Sequence, residues 1–83
     1  MFMIYTTENC VWCEKTKDLL KEQNMEYTNV ILDTQEKISE FKKNTGHKTV
    51  PQIYLESSRE YIGGYDGLKE FLTKRLETIQ NVI

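Results

Sequence analysis

Two cysteines, Cys10 and Cys13, lie three positions apart in Asn9-Cys10-Val11-Trp12-Cys13, and the chain has no others. An apolar run, Phe2 to Thr6, reads as a strand just before them, and the polar segment Glu14 to Asn24 reads as a helix just after. A Cys-x-x-Cys at a strand-to-helix junction is the sequence form of a thiol–disulfide exchange site. The position suits the chemistry. A thiolate near a helix N-terminus meets unpaired backbone N–H groups and the positive end of the helix dipole. With Asn9 as the expected N-cap, Cys10 falls in the first turn, and Cys13 follows on the same side of the helix. Cys10 then acts as the nucleophile, and Cys13 resolves the mixed disulfide.

Two other uses of the pair are open at this point. A structural disulfide would close a very small loop and gain the least chain-entropy stabilisation. Half of a zinc site would need a second ligand pair, and His47 is the only other soft ligand, so no metal is expected.

The chain of 83 residues suits one domain, residues 1–83, with one modest core. A net charge of −2, with 29% charged residues of both signs interspersed, gives no basic footprint for nucleic acid. No apolar run approaches a membrane span and no basic leader opens the sequence, so a soluble cytoplasmic protein is expected.

Further along, a first helix from about Cys10 to Gln23 has Thr16, Leu19, Leu20 and Gln23 on its apolar period. Glu26 to Leu32 reads as a second strand, parallel to the first through a right-handed crossover. Asp33 and Glu36 have the spacing of a capping box for a second helix, with Ile38 and Phe41 inward and Gly46 at its end. Gln52–Leu55 and Glu60–Ile62 are expected to form an antiparallel hairpin. Asp66 is the expected cap of a last helix, from Gly67 to about Gln80, with Leu68, Phe71, Leu72, Leu76 and Ile79 as its apolar stripe. The order βαβαββα gives an α/β fold, a four-stranded mixed sheet covered by three helices. His47 receives no role beyond an exposed loop position.

Pro51 opens a strand, where a missing N–H is tolerated; a cis Val50–Pro51 bond would instead turn the backbone of Val50 outward to pair with an extended substrate. Gly63-Gly64-Tyr65-Asp66 is a tight turn into a helix N-terminus, either a plain capping turn or an anion site.

Taken together, Cys10-Val11-Trp12-Cys13, Thr49-Val50-Pro51 and Ile62-Gly63-Gly64-Tyr65-Asp66 resemble the glutaredoxin family in order and approximate spacing. The resemblance covers essentially the whole chain, and its small size and Val11 look like the short glutaredoxins of bacteria and phages. It implies a thioredoxin-like fold, a cis Val50–Pro51 bond and glutathione as co-substrate. Thr49, Val50 and Pro51 would meet the glutathione backbone; Gly64, Tyr65 and Asp66 would hold its γ-glutamyl end; Trp12 would wall the groove. The implied partners are glutathione and disulfide-containing proteins, with ribonucleotide reductase as an example, and the implied state is a monomer. The alternatives are a redoxin re-reduced by thioredoxin reductase and a glutaredoxin that binds an iron–sulfur cluster.

Three departures from the family pattern matter. Val11 stands in place of the usual proline. Thr7, followed by the acidic Glu8, stands where a basic residue is frequent. Ile38 falls near the usual polar contact to the glycine carboxylate, leaving Lys42 and Lys48 as the candidate cations. A helix terminus lowers a thiol from about 8.5 to about 7, and Glu8 opposes any further activation of Cys10.

Overall fold

The computed structural model describes the backbone of residues 1–82 and side chains as far as residue 74. Its elements are β1 (Phe2–Thr6), α1 (Val11–Glu22), β2 (Tyr27–Ile31), α2 (Gln35–Thr45), β3 (Gln52–Leu55), β4 (Tyr61–Gly63) and α3 (Tyr65–Val82). The four strands form one sheet in the order β2-β1-β3-β4. β1 and β2 run parallel, with Ile4 opposite Asn29, while β3 is antiparallel to both β1 and β4. This is the mixed sheet with three helices expected from the sequence.

Alternation along the central strand sorts its side chains between two faces. Phe2, Ile4 and Thr6 are buried, and Met3 and Tyr5 are half-buried. Phe2 and Ile4 join Leu20 of α1, Ile53 of β3, and Leu68 and Leu72 of α3 in the main core. Leu20, Ile53 and Leu68 are wholly buried there, each contributing about 1.5–3 kcal/mol by leaving water. On the other face α2 packs through Phe41, whose ring lies 4.8 Å from that of Tyr5. Thr6, buried at the end of β1, donates from Oγ1 to Asn29 Oδ1 at 2.7 Å and ties β1 to β2 by side chains as well.

Several local expectations are corrected. Asn9 is not the cap of α1: it sits at φ 56°, a left-handed turn residue, and Cys10 takes the cap position. Asn serves both roles readily, so its identity alone did not decide between them. Thr34, not Asp33, caps α2, accepting the Lys37 N–H at Oγ1 over 3.1 Å. Glu36 is therefore one place short of completing a capping box, and Asp33 instead pairs with Lys37 Nζ at 2.9 Å. That ammonium, by hydrogen bond and then by charge, holds the Asp33 carboxyl below its ordinary 3.8.

Asp66 lies inside the first turn of α3, because the helix begins at Tyr65 and the Leu68 N–H bonds the Gly64 carbonyl at 3.0 Å. Gln23 is exposed rather than inward, at the C-cap of α1, where its backbone N–H bonds the Leu19 carbonyl at 3.1 Å. Gly46 does end α2, at φ 76°. Leu76 and Ile79, expected in the apolar stripe of α3, lie outside the described side chains.

Candidate functional site

The site is assembled where three connections meet: the entry to α1, the segment between α2 and β3, and the turn from β4 into α3. Cys10 and Cys13 are joined as a disulfide, with Cα atoms 5.2 Å apart. Their surroundings differ. Cys13 is wholly buried, while Cys10 is partly exposed. Cys10 caps α1 with its own sulfur: Sγ accepts the Cys13 backbone N–H at 3.2 Å. When the disulfide opens, that donor and the helix terminus stabilise negative charge on the accessible sulfur. The turn is braced from within α1, where buried Thr16 donates from Oγ1 to the Trp12 carbonyl at 2.8 Å.

Beside this pair lies a groove of about 290 Å³ lined by Trp12, Thr49, Val50, Pro51, Gly64, Tyr65, Asp66 and Gly67. These are the residues the sequence singled out, with Gly67 added. Trp12 is half exposed; its ring lies 5.4 Å from that of Tyr65, and Lys15 Nζ sits over it, 4.3 Å from the ring centroid. The Val50–Pro51 peptide bond is cis. Among the described residues, no hydrogen bond uses the N–H or C=O of Val50. At the far wall the N–H groups of Tyr65, Asp66 and Gly67 open the first turn of α3.

Lys42 and Lys48 are not in this groove. They border a second, smaller hollow of about 130 Å³ with Thr7, Ile38, Phe41 and His47, which also touches Thr49 and Val50. The two hollows thus share Thr49 and Val50, with a carboxylate and a helix N-terminus on one side and two ammonium groups on the other.

The sequence reading missed two residues here. His47 is half-buried, not a free loop residue: Nε2 lies 2.8 Å from the Tyr54 hydroxyl and its ring stacks on Tyr61 at 4.7 Å. Gln52 is buried and bonded to both Thr49 and Tyr61. The signal available for Gln52 was its place directly after Pro51 in a strand that is otherwise apolar.

A strand–helix unit with an asymmetric Cys-x-x-Cys at its junction, set against a cis-proline segment on a mixed sheet, defines a dithiol protein of the thioredoxin-like class. Comparison with known proteins narrows this. A glutaredoxin family profile matches residues 2–59, and the chain belongs to the glutaredoxin family. Glutaredoxin 1 of Rickettsia conorii is 41% identical over 69 residues, spanning 80% of this chain and 66% of that protein. Glutaredoxin 3 of Escherichia coli K12 is 36% identical over 66 residues, spanning 78% of this chain and 77% of that one.

Among solved structures, glutaredoxin 1 from Francisella tularensis, complexed with cacodylate, aligns with a TM-score of 0.77 at 31% identity, over 92% of this chain and 95% of that one. A buckwheat glutaredoxin–glutathione complex shares the fold, with a TM-score of 0.73 at 22% identity, over 88% of this chain and 68% of that one. The chain thus spans just under two thirds of the length of its rickettsial relative.

Proposed function

We propose that this protein is a glutathione-dependent thiol–disulfide oxidoreductase that reduces mixed disulfides and protein disulfides. The observation that carries the reading is the unequal exposure of the pair: a partly open Cys10 beside the groove and a wholly buried Cys13. Only the open sulfur can meet a substrate from solution. In the reduced protein the Cys10 thiolate attacks the glutathionyl sulfur of a protein–glutathione disulfide. The Cys10–glutathione disulfide forms, and the protein sulfur leaves as thiolate and takes a proton. A second glutathione thiolate then attacks the bound glutathionyl sulfur, releasing glutathione disulfide and restoring Cys10. With a protein disulfide, the Cys13 thiolate instead attacks Cys10 Sγ, the Cys10–Cys13 disulfide forms, and two glutathiones re-reduce it.

The two hollows fit glutathione in one direction. An extended tripeptide crossing Val50 places its cysteinyl peptide groups beside the unused N–H and C=O of that residue, as an added strand. Its glycine carboxylate then lies toward Lys42 and Lys48. Its γ-glutamyl end lies toward α3, with the α-carboxylate at the helix N-terminus and the α-ammonium beside Asp66. The buckwheat complex is consistent with glutathione in a groove of this fold.

Protein disulfides such as that of ribonucleotide reductase are the proposed macromolecular substrates, and a reducing cytoplasm is the compartment in which such a pair cycles. The protein is proposed to act as a monomer.

The test is reduction of a small glutathione mixed disulfide, coupled through glutathione reductase to NADPH. Cys10→Ser should lose turnover, and Cys13→Ser should keep it because glutathione itself resolves the intermediate. A wild type that is inert with glutathione but turns over with thioredoxin reductase would overturn the glutathione assignment.

A further inference from the structure

Gln52 is 5% exposed, and all the polar capacity of its carboxamide that faces the protein is used. Nε2 donates to the Thr49 carbonyl at 3.0 Å and to Thr49 Oγ1 at 3.1 Å. Oε1 accepts from the Tyr61 hydroxyl at 2.6 Å. The Thr49 carbonyl can only accept, so the amide nitrogen must face it and the amide oxygen must face Tyr61. Tyr61 is held in turn, stacked on His47 at 4.7 Å and edge-on to Tyr54 at 5.2 Å. His47, two positions before Thr49, is anchored to the Tyr54 hydroxyl. The connection from α2 to β3 is therefore clamped twice, at His47 and at Thr49. Val50 lies between the second clamp and Pro51 with its peptide groups free.

A buried carboxamide is unfavourable unless its bonds are made, and an apolar residue would fill the first position of β3 without that demand. What the carboxamide adds is orientation of the backbone one residue away from the substrate-facing peptide group. Tyr61 itself is half exposed at the edge of the sheet, so burial alone does not account for its hydroxyl being aimed at Gln52.

We propose that Gln52, oriented by Tyr61, is a positioning residue for glutathione. It fixes Thr49 so that the N–H and C=O of Val50 stand ready to pair with the cysteinyl backbone of the bound tripeptide. The inference rests on the glutathione reading above and deepens it. It acts on binding, not on the sulfur chemistry, because neither Gln52 nor Tyr61 lines the groove and the carboxamide's bonds go to Thr49 and Tyr61.

The experiment compares wild type, Gln52→Leu and Tyr61→Phe in the glutathione mixed-disulfide assay. Two further readouts are the alkylation rate of reduced Cys10 by iodoacetamide at pH 7 and the amide ¹⁵N relaxation of Thr49 and Val50. Gln52→Leu should raise KM about tenfold and Tyr61→Phe about threefold, the effect of losing several or one oriented hydrogen bond. In both, kcat and the alkylation rate should stay within about twofold of wild type, and the Val50 amide should gain fast motion. An unchanged KM in folded Gln52→Leu, or a fall of kcat and alkylation together with the rise in KM, would overturn the positioning role. If Gln52→Leu does not fold, Tyr61→Phe decides, and an unchanged KM there overturns the role equally. A wild type without glutathione turnover overturns the underlying reading, whereas an active wild type with unaltered variants overturns this inference alone.

Discussion

Gly67 is the position where a single methyl group should do most damage for its size. The turn out of β4 folds so tightly that α3 begins against the strand it has just left. A Cβ built on Gly67 would stand 2.5 Å from the Ile62 carbonyl oxygen and 3.4 Å from its carbon. The obstacle is backbone, which cannot rotate aside as a long side chain would. Restoring an ordinary contact near ~3.5 Å requires the start of α3 to move by about 1 Å. Overpacking of this kind costs about 1–3 kcal/mol. Alanine for glycine within a helix recovers at most about 1 kcal/mol, and less in the first turn. The clash therefore wins, with a net loss of about 1–2 kcal/mol.

For a domain of this size that loss lowers Tm by roughly 5–15 °C. Thermal melts and urea titrations of Gly67→Ala should show it, with the urea midpoint falling and the slope unchanged. Gly46→Ala is the instructive control, because a Cβ there meets nothing within 4 Å and any cost comes only from φ 76°. Asparagine, which tolerates left-handed backbone, should restore stability at position 46 and worsen it at position 67. A Gly67→Ala protein melting at or above wild type would refute the reasoning, showing that helix propensity outweighs the Ile62 contact.

Thr34→Ala should cost about 1 kcal/mol in urea unfolding, because it removes the cap on Lys37, whereas Asp33→Ala should change the midpoint little. Tyr54 is held above the ordinary 10.0 of a tyrosine by burial first and by the neighbouring Tyr61 and Tyr5 second. The unfolded chain releases this proton before the folded one does, so stability is fully present below about pH 10 and declines above it. Urea midpoints from pH 8 to 11 should show the decline, and Tyr54→Phe should flatten it. Leu20→Ala, at a wholly buried core position between α1 and the sheet, should cost about 2–5 kcal/mol by thermal or urea unfolding.

The features written in local pattern were legible from the chain alone. The apolar runs at Phe2 and Ile53, the glycine after α2 and the cysteine spacing gave the element order and the place of the candidate site. So did the short Glu56 to Arg59 connection, which allows nothing but a hairpin. Errors fell where one residue type serves two local purposes. Asn9 could cap a helix or adopt left-handed backbone, and it did the second, leaving the cap to Cys10. Asp33 and Thr34 are adjacent competent caps, and spacing to Glu36 favoured the wrong one.

The remaining features depend on contacts across sequence, which periodicity does not encode. Gln52 reads as an ordinary strand residue until Tyr61 is brought beside it by the hairpin. His47 reads as loop until Tyr54 and Tyr61 close around it. Gly67 reads as a helix start, and only the fold reveals the Ile62 carbonyl against it.

In the proposed cycle the concealment of Cys13 separates two kinetic regimes. Formation of the first covalent intermediate is bimolecular and scales with whatever disulfide is in solution. Its resolution by Cys13 is unimolecular, because the buried sulfur can be reached only from Cys10 one turn away. Its speed is a constant of the chain, set by an effective concentration that no substrate can dilute. In the proposed cycle free glutathione would have to outrun that internal clock to resolve the intermediate itself, and the ambient glutathione level would then select which of the two exits each captured substrate takes.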